Sequence, residues 1–206
     1  MKKPLIFVGI GLAVLIAIIY GLYAMFMGGP SESLFAEFVE PGIHEIPDQK
    51  VILVKTTGPP EVAAEKGIGL LFNAYYKIPG IPKDGPPPAP RARWFTLSEE
   101  PQETWKSEFA MPVPDAIESL PLSGIAELSE VKLGIWEYGS TAVILHKGAY
   151  DAEEPTIKKL TDYIQQEGYE IIGAHEEEYL KGPMPLLFRS PDKYLTLIKY
   201  RVKKNE

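Results

Sequence analysis

An internal repeat with an offset of 90 residues constrains this sequence more than any other feature. In each copy a run rich in Val, Ile and Leu, at residues 50–54 and 142–145, leads into a turn and then a helix. The turns are Thr57-Gly58-Pro59-Pro60 and His146-Lys147-Gly148-Ala149-Tyr150, and they align Gly58 with Gly148. Short apolar runs bounded by turn residues are typical of buried strands. The sequence therefore predicts two similar halves, each beginning with a strand, a turn and a helix.

The helix of the second copy has the clearer pattern. Asp151 is its predicted N-cap, acidic residues and Pro155 follow in the first turn, and Gly168 ends it. Its apolar face is formed by Ile157, Leu160 and Ile164. The helix of the first copy ends before Pro79, and its inner face consists of Ala63, Gly67, Leu70, Leu71 and Ala74.

Two further strands are predicted after the helix in each copy. They cover residues 91–97 and 105–113 in the first copy, and residues 169–179 and 193–202 in the second. A β-α-β-β unit that occurs twice is typical of the α+β fold class, in which an antiparallel sheet carries its helices on one side. We therefore expect one such domain over residues 48–203.

An apolar segment precedes the repeat. Residues 5–27 carry no charge, and at about 1.5 Å per residue a helix of this length crosses a hydrocarbon core of about 30 Å. Its length and the lack of an A-x-A site favour an uncleaved transmembrane anchor over residues 1–27, followed by a linker over 28–47. Lys2 and Lys3 precede the segment, so the amino terminus is expected in the cytoplasm and the domain outside, with a cytosolic domain as the alternative. Gly9, Ala13, Ala17 and Gly21 recur at every fourth position, which is compatible with self-association through the anchor.

The composition excludes several classes of function. The net charge is −7, and an acidic chain without clustered Lys and Arg is not expected to bind nucleic acid. Cysteine is absent, which excludes disulfides, thiolate nucleophiles and Cys-ligated metals. The three histidines, His44, His146 and His175, are widely spaced, and no phosphate-binding or dinucleotide-binding motif occurs. We therefore expect neither a bound metal nor a cofactor.

The end of the strand predicted at residues 169–179 combines acidic and aromatic side chains. Strand alternation places His175, Glu177 and Tyr179 on one face, and Glu176 and Glu178 on the other. Because three carboxylates cannot lie in a dry core, at least one face is expected to meet solvent or line a pocket. The alternative is that all three glutamates form a solvated strand end.

Aromatic residues are concentrated in the same predicted sheet. They are Trp94, Phe95, Phe109, Trp136, Tyr138, Tyr179, Tyr194 and Tyr200. Most are expected in the core, but a sheet face with several aromatic rings and one carboxylate suits lipophilic cations. The rings attract the cation, and the carboxylate neutralises a charge that would otherwise lie in a medium of low dielectric constant. The acidic net charge also attracts cations.

The duplicated unit, the H-x-G-x-Y turn at residues 146–150 and the E-x-Y sequence from Glu177 to Tyr179 resemble the GyrI-like small-molecule-binding domain. This family includes gyrase-inhibitor-like proteins and the effector-binding domains of BmrR-type and Rob-type regulators. The resemblance covers about residues 48–203, and it implies two repeats related by a pseudo-twofold axis, with a cleft for amphipathic, often cationic, ligands at their junction. It also implies that Glu177 is the cleft glutamate and Tyr179 the tyrosine beside it. Trp94, Phe109, Trp136 and Tyr138 are candidate walls by strand position.

The sequence thus favours a membrane-anchored binding module for lipophilic or cationic small molecules. Some GyrI-like proteins hydrolyse strained electrophiles, so the first alternative is a hydrolase with Glu177 as the base and Tyr179 as a possible proton donor. The second alternative is a membrane-tethered protein-interaction adaptor. An anchor followed by this domain is similar to the arrangement in the testis-expressed reticulophagy receptors of animals.

Overall fold

A computed structural model of the chain describes residues 29–95, 100–121, 125–183 and 190–206. The predicted anchor at residues 5–27 lies outside these ranges. Within them, no helix combines the length and the apolar character needed to cross a membrane. The chain divides into two units, Met1–Ser31 and Glu32–Glu206, and the fold described here is that of the second.

The described residues contain the predicted elements in the predicted order, with one additional strand before each copy. The strands are β1 (Gly42–Ile46), β2 (Gln49–Thr57), β3 (Arg91–Trp94), β4 (Lys106–Pro112), β5 (Lys132–Trp136), β6 (Gly139–Lys147), β7 (Tyr169–Ile171), β8 (His175–Lys181) and β9 (Leu195–Lys204). The α-helices are α1 (Pro60–Tyr75) and α2 (Glu154–Gln166). Short 3-10 helices lie at Glu32–Phe38, Gln102–Thr104, Ala126–Leu128, Tyr150–Ala152 and Pro191–Lys193. The predicted α+β class and the duplicated β-α-β-β unit are confirmed.

The strands form one antiparallel sheet in the order β1-β6-β9-β8-β3-β4-β2-β5, and β7 pairs with β9. The two copies exchange their first strands, because β1 pairs with β6 of the second copy and β5 pairs with β2 of the first. The two pairings have the same register. Gly42 lies opposite Val143, and Lys132, the residue that corresponds to Gly42 in the second copy, lies opposite Leu53, which corresponds to Val143.

Only residues 47–48 separate β1 from β2, and only residues 137–138 separate β5 from β6. A link of two residues spans at most about 10 Å, so the two ends of the strand order lie next to each other. The sheet therefore curls back on itself, and the pairings of β1 with β6 and of β2 with β5 continue one ladder. The backbone N–H of Tyr138 donates to the Asp48 carboxylate at 2.9 Å where that ladder is interrupted.

Each helix packs mainly on the sheet strands of its own copy: α1 on β2 and β4, and α2 on β6. The inner face of α1 is the predicted one, except that Leu70 is only partly buried. A Cβ atom at Gly67 would lie 2.5 Å from the ring of Phe109, so the absence of a side chain lets α1 approach the sheet closely. The central strands β3 and β8, where the two copies meet, lie between the regions covered by the helices.

Three details differ from the sequence analysis. Residues 42–46, predicted as part of a linker, form β1, because a pairing with β6 across the repeat stabilises a short strand of mixed polarity. Residues 169–179 form two strands, because the chain bulges at residues 172–174 between its two contacts with β9. The N-cap of α2 is Glu153 and not Asp151, since a 3-10 turn precedes the helix.

Candidate functional site

The junction of the two copies is the antiparallel pairing of β3 with β8, in which Ala92 lies opposite Glu177 and Trp94 opposite His175. Strand alternation gives the two faces of the sheet different chemistry at this junction. The face toward the helices carries Trp94, His175, Glu177 and Tyr179. The other face, called here the helix-free face, carries Arg91, Arg93, Glu176 and Glu178. The predicted alternation of residues 175–179 is therefore confirmed.

Glu177 is held by a chain of hydrogen bonds on the face toward the helices. The Oε1 atom of Glu177 lies 2.9 Å from Nε2 of His175, and Nδ1 of His175 lies 2.8 Å from the Tyr200 hydroxyl. If Glu177 is ionised and His175 neutral, Nε2 carries the hydrogen and Nδ1 accepts from Tyr200. Because His175 is buried and tied at both nitrogens, it fixes the direction of the Glu177 carboxylate.

The two tyrosines beside Glu177 are held in their neutral forms. Burial, and then the charge of Glu177 and a hydrogen bond to it, raise the pKa of Tyr179 well above its ordinary value. Burial, followed by the charges of Glu177 and Glu153, raises the pKa of Tyr200 to about 12. Both hydroxyl groups are therefore protonated at neutral pH and available as donors.

A second carboxyl group, that of Glu153, reaches this site from the start of α2. Its backbone oxygen accepts from the N–H groups of Thr156 and Ile157 at 2.9 Å, but its side chain does not cap the helix. Its Oε1 atom is buried and has no hydrogen-bond partner among the described residues. Burial, and then the charge of Glu177, raise the pKa of Glu153 to about 9. Glu153 is therefore protonated at pH 7.

Glu153, His175 and Glu177 each offer one donor atom, and these atoms lie within 4.8 Å of one another. Two carboxylate oxygens and one imidazole nitrogen are donors of the kind that divalent metal ions accept. The three residues could hold such an ion, although the spacing of the histidines predicted no metal site. They lie on the same face as Trp94 and Tyr179, and these five residues are called here the Glu177 cleft, after the cleft that the resemblance implies.

Aromatic rings surround the carboxyl groups. The buried ring of Trp94 packs edge-on against Phe109, with ring centres 5.6 Å apart. Tyr150 contacts Tyr179 and Tyr194, with centres 5.5 Å and 5.3 Å apart. Tyr150 is the last residue of the H-x-G-x-Y turn, so this motif supplies an aromatic side chain to the group around Tyr179.

The histidine and the glycine of that turn fix its shape. His146 contacts the Thr156 hydroxyl through Nδ1 at 2.9 Å and the carbonyl oxygen of Ala149 through Nε2 at 3.1 Å. Gly148 has a φ of 151°, and a Cβ atom there would lie 3.0 Å from the imidazole of His146. The hydrogen bonds of His146 therefore hold the end of β6 against the start of α2. Tyr150 and Glu153 lie in the segment that these bonds fix.

The structure brings only part of the predicted site together. Glu177, Tyr179 and Trp94 share the cleft, and Phe109 lies on the same face, but it is fully buried under α1 behind Trp94. Trp136 and Tyr138 were placed beside Glu177, and the structure corrects this placement because both lie on the helix-free face. Alternation along β5, in which Leu133 packs under the helices, puts Trp136 on the opposite face.

On the helix-free face, Glu176 and Glu178 belong to a buried ionic network. Arg91 pairs with Glu178 at 3.1 Å and Arg93 with Glu176 at 2.8 Å, while Lys199 contacts both carboxylates. Burial alone would raise the pKa of Glu178, but the charges of Lys199 and Arg91 outweigh it and lower the pKa. The alternative of a solvated strand end is therefore wrong for these glutamates.

Tyr138 and Trp136 complete this network. The Tyr138 hydroxyl donates to Glu176 at 2.7 Å and accepts from Arg91 at 2.9 Å. The Trp136 indole donates to Glu108 at 2.7 Å, and its ring lies 4.1 Å from the guanidinium carbon of Arg93. Both aromatic residues therefore contact charged residues of the ionic network and do not face Glu177.

Glu153, His175, Tyr150 and Tyr200 are residues of the cleft region that the sequence analysis did not select. His175 and Tyr200 occur in predicted strands, and the alternation that selected Glu177 also selects His175. Tyr150 could have been found from the H-x-G-x-Y motif. The sequence does not distinguish Glu153 as a site residue, because acidic residues are common in the first turn of a helix.

The fold and the cleft define a duplicated α+β binding domain. The sequence profile of one family, described as the GyrI-like small molecule binding domain, matches residues 40–203. This match extends over most of the chain, which therefore belongs to the GyrI-like family. The resemblance derived from the motifs is confirmed, and with it the expectation of a small-molecule ligand.

Solved structures share the fold. A Listeria innocua protein described as a hydrolase has a TM-score of 0.68 at 19% identity, with 84% of this chain and 96% of that chain covered. A conserved protein of the same organism has a TM-score of 0.67 at 18% identity, covering 84% and 97%. The C-terminal domain of EcmrR has a TM-score of 0.62 at 18% identity, covering 81% and 98%. At these identities the likeness shows the fold alone. Among curated proteins, none matches this chain.

Proposed function

We propose that this protein binds lipophilic cations in the Glu177 cleft and that residues 5–27 anchor it in a membrane. The observation that carries the ligand class is the pairing of an oriented carboxylate, Glu177, with the rings of Trp94 and Tyr179. A carboxylate in a partly buried site favours a positively charged ligand, and aromatic rings favour one whose charge is carried by an apolar body.

Glu153 adds a second property to the proposed site. At neutral pH its carboxyl group is protonated, so we assign a monovalent cation to the Glu177 carboxyl group. A bound cation stabilises the ionised form of Glu153, and we therefore expect proton release when the ligand binds. A ligand with two positive charges would pair with the carboxylates of both Glu153 and Glu177.

A titration of the purified full chain tests the ligand class. The quenching of tryptophan fluorescence is followed with quaternary phosphonium and ammonium ions and with neutral compounds of matched size, because Trp94 lies at the cleft. We expect saturable quenching by the cations, and weaker binding in Glu177→Gln by roughly tenfold or more. The control, Glu170→Gln, removes an exposed carboxylate on β7 and should bind as the wild type does. Equal binding of cations by all three proteins would refute the assignment to Glu177.

A second candidate function is hydrolysis of an electrophilic small molecule. The observation that favours it is a protonated Glu153 beside the Glu177 carboxyl group, because a general acid next to a second carboxyl group is an arrangement suited to hydrolysis. Glu177 would take a proton from an attacking water molecule while Glu153 or Tyr179 gives one to the leaving atom. Product formation that is lost in Glu177→Gln while ligand binding persists would establish turnover.

The membrane anchor and its orientation rest on the composition of residues 1–27 and on the position of Lys2 and Lys3. Protease treatment of intact cells tests the orientation, because an extracytoplasmic domain is digested and a cytosolic one is protected. Crosslinking of Ala17→Leu and Gly21→Leu variants tests self-association through the anchor, which predicts a lower yield of dimer in both. If the chain binds no small molecule, the protein-interaction adaptor becomes the leading alternative.

A further inference from the structure

We propose that the helix-free face carries a second binding site, for a small organic anion with an apolar group. The site is a cavity of about 320 Å³ whose lining includes Arg93, Lys199 and Arg201. Small-molecule sites range from about 300 to 1,000 Å³, so this cavity fits a compact molecule such as one with a single ring.

The charge of the cavity wall defines the ligand. Arg93, Lys199 and Arg201 contribute three positive charges, whereas Glu176 is the one carboxylate of the lining. Arg93 and Lys199 are largely withdrawn from solvent, with side chains 14% and 5% exposed. Arg93 and Lys199 pair with Glu176 and Glu178, which Arg91 shares, and Arg201 lies 3.8 Å from the exposed Glu137. Four cations therefore face three carboxylates, and an anion in the cavity balances the excess positive charge.

The cations are held in position with donor groups to spare. The Arg93 guanidinium stacks on Trp136 and donates from Nε to Glu176 and from Nη2 to the Glu137 carbonyl oxygen. The Arg201 Nε donates to the carbonyl oxygen of Tyr138 at 3.1 Å. A guanidinium has five N–H groups, so those bonds leave further N–H groups of both arginines for a ligand. A carboxylate accepts two such bonds at once.

The rim of the cavity is apolar. Phe95 and Ile172 both contribute to the lining, and their side chains are 58% and 51% exposed. Large apolar side chains that are exposed beside a charged pocket favour a ligand with an apolar part. An aromatic or branched aliphatic carboxylate matches both the positively charged wall and the apolar rim of the cavity.

The site is separate from the Glu177 cleft. Glu176 lines the cavity and Glu177 lines the cleft, and neighbouring residues of a strand point to opposite faces of the sheet. The two sites also prefer ligands of opposite charge. Binding of an anion in the cavity therefore does not depend on the function proposed for the cleft.

Fluorine NMR of the full chain tests this proposal with three probes of nearly equal shape. They are 4-(trifluoromethyl)benzoate, the neutral 4-(trifluoromethyl)benzamide and the cationic 4-(trifluoromethyl)benzylamine. We expect saturable line broadening for the benzoate, competition by unlabelled benzoate and no competition by acetate at the same concentration. The amide is expected to bind more weakly by roughly tenfold or more.

Variants assign the binding to the cavity. Arg201→Gln removes the most exposed of its cations, and we expect the benzoate to bind roughly tenfold more weakly or worse. Lys203→Gln, which removes an exposed charge two residues further along β9, is the control and should bind normally. Ala174→Leu should fill the cavity without a change of charge and also abolish binding.

Three outcomes would overturn the proposal. They are a lack of saturable benzoate binding to the folded wild type, equal binding of the benzoate and the amide, and an equal loss in Arg201→Gln and Lys203→Gln. Glu177→Gln separates the two sites, because it should leave benzoate binding unchanged. A loss there would place the benzoate in the cleft. Thermal unfolding of each variant confirms that it is folded before its binding is compared.

Discussion

Glu153 and Glu177 bring their carboxyl groups to the same place from different parts of the chain, the first from the start of α2 and the second from β8. Neither residue caps a helix through its side chain or pairs with Arg or Lys in the described structure. Burial of Glu153, and then the proximity of Glu177, raise the pKa of Glu153 to about 9, so this carboxyl group keeps its proton at neutral pH.

The stability of the domain should fall as the pH rises from about 5 to 9. The folded pKa of Glu153, about 9, lies above the ordinary glutamate value of 4.5, so between these values the folded state binds more protons than the unfolded state. Stability then decreases with increasing pH, because the unfolded state gains from ionising Glu153 while the folded state keeps the proton. Urea unfolding at pH 6 and pH 9 measures the slope. Glu153→Gln cannot ionise, and it should show a smaller loss of stability between the two values.

Cation binding in the Glu177 cleft should strengthen as the pH rises from 6 to 9. A bound cation favours the ionised form of Glu153, and less work is needed to remove its proton at higher pH. The dissociation constant should fall by less than about tenfold per pH unit, since one proton at most is released. Titrations at three pH values test this. A dissociation constant in Glu153→Gln that depends on pH as in the wild type would contradict it.

Gly67→Ala should destabilise the protein although alanine is the better helix former. The added Cβ would lie 2.5 Å from the ring of Phe109, so the ring or the helix must shift. Overpacking of this kind typically costs about 1–3 kcal/mol. Gly69→Ala is the matched control, because a Cβ there meets no atom within 4 Å, and it should stabilise the helix by about 0.5–1 kcal/mol. The free energy of unfolding of both variants is measured by chemical denaturation. A loss in Gly67→Ala with a gain in Gly69→Ala shows that packing outweighs helix propensity at Gly67.

Lys199→Met should cost far more stability than Lys66→Ala, although both lysines form ion pairs. Lys199 is 5% exposed and contacts Glu176 and Glu178, which the substitution leaves buried with fewer partners. Removing one partner of a buried ion pair lowers the free energy of unfolding by about 3–5 kcal/mol. Lys66 pairs with Glu130 at 2.9 Å, but both side chains are about half exposed, and such pairs contribute about 0–1 kcal/mol. Equal losses in urea unfolding would show that the network does not stabilise the fold.

The repeat and the alternation of β8 could be predicted because both are local patterns. Residues 175–179 were assigned to the correct faces, and the inner face of α1 was found from helical spacing. The exchange of first strands could not be predicted, because β1 and β5 are short, and the partner of each lies in the other copy. Trp136 and Tyr138 were placed on the wrong face, since β5 was not predicted and the register of this strand sets the direction of Trp136. Glu153 was missed because its burial depends on where α2 begins.

The curl of the sheet also limits how far the two copies can move apart. With two-residue links at residues 47–48 and 137–138 joining the ends of the strand order, the two copies are coupled in a closed circuit of backbone hydrogen bonds. Moving them apart at the seam between β3 and β8 would strain the ladder on the opposite side. The seam therefore keeps a fixed width, and a ligand bound there as proposed would have to be accommodated by movements of side chains.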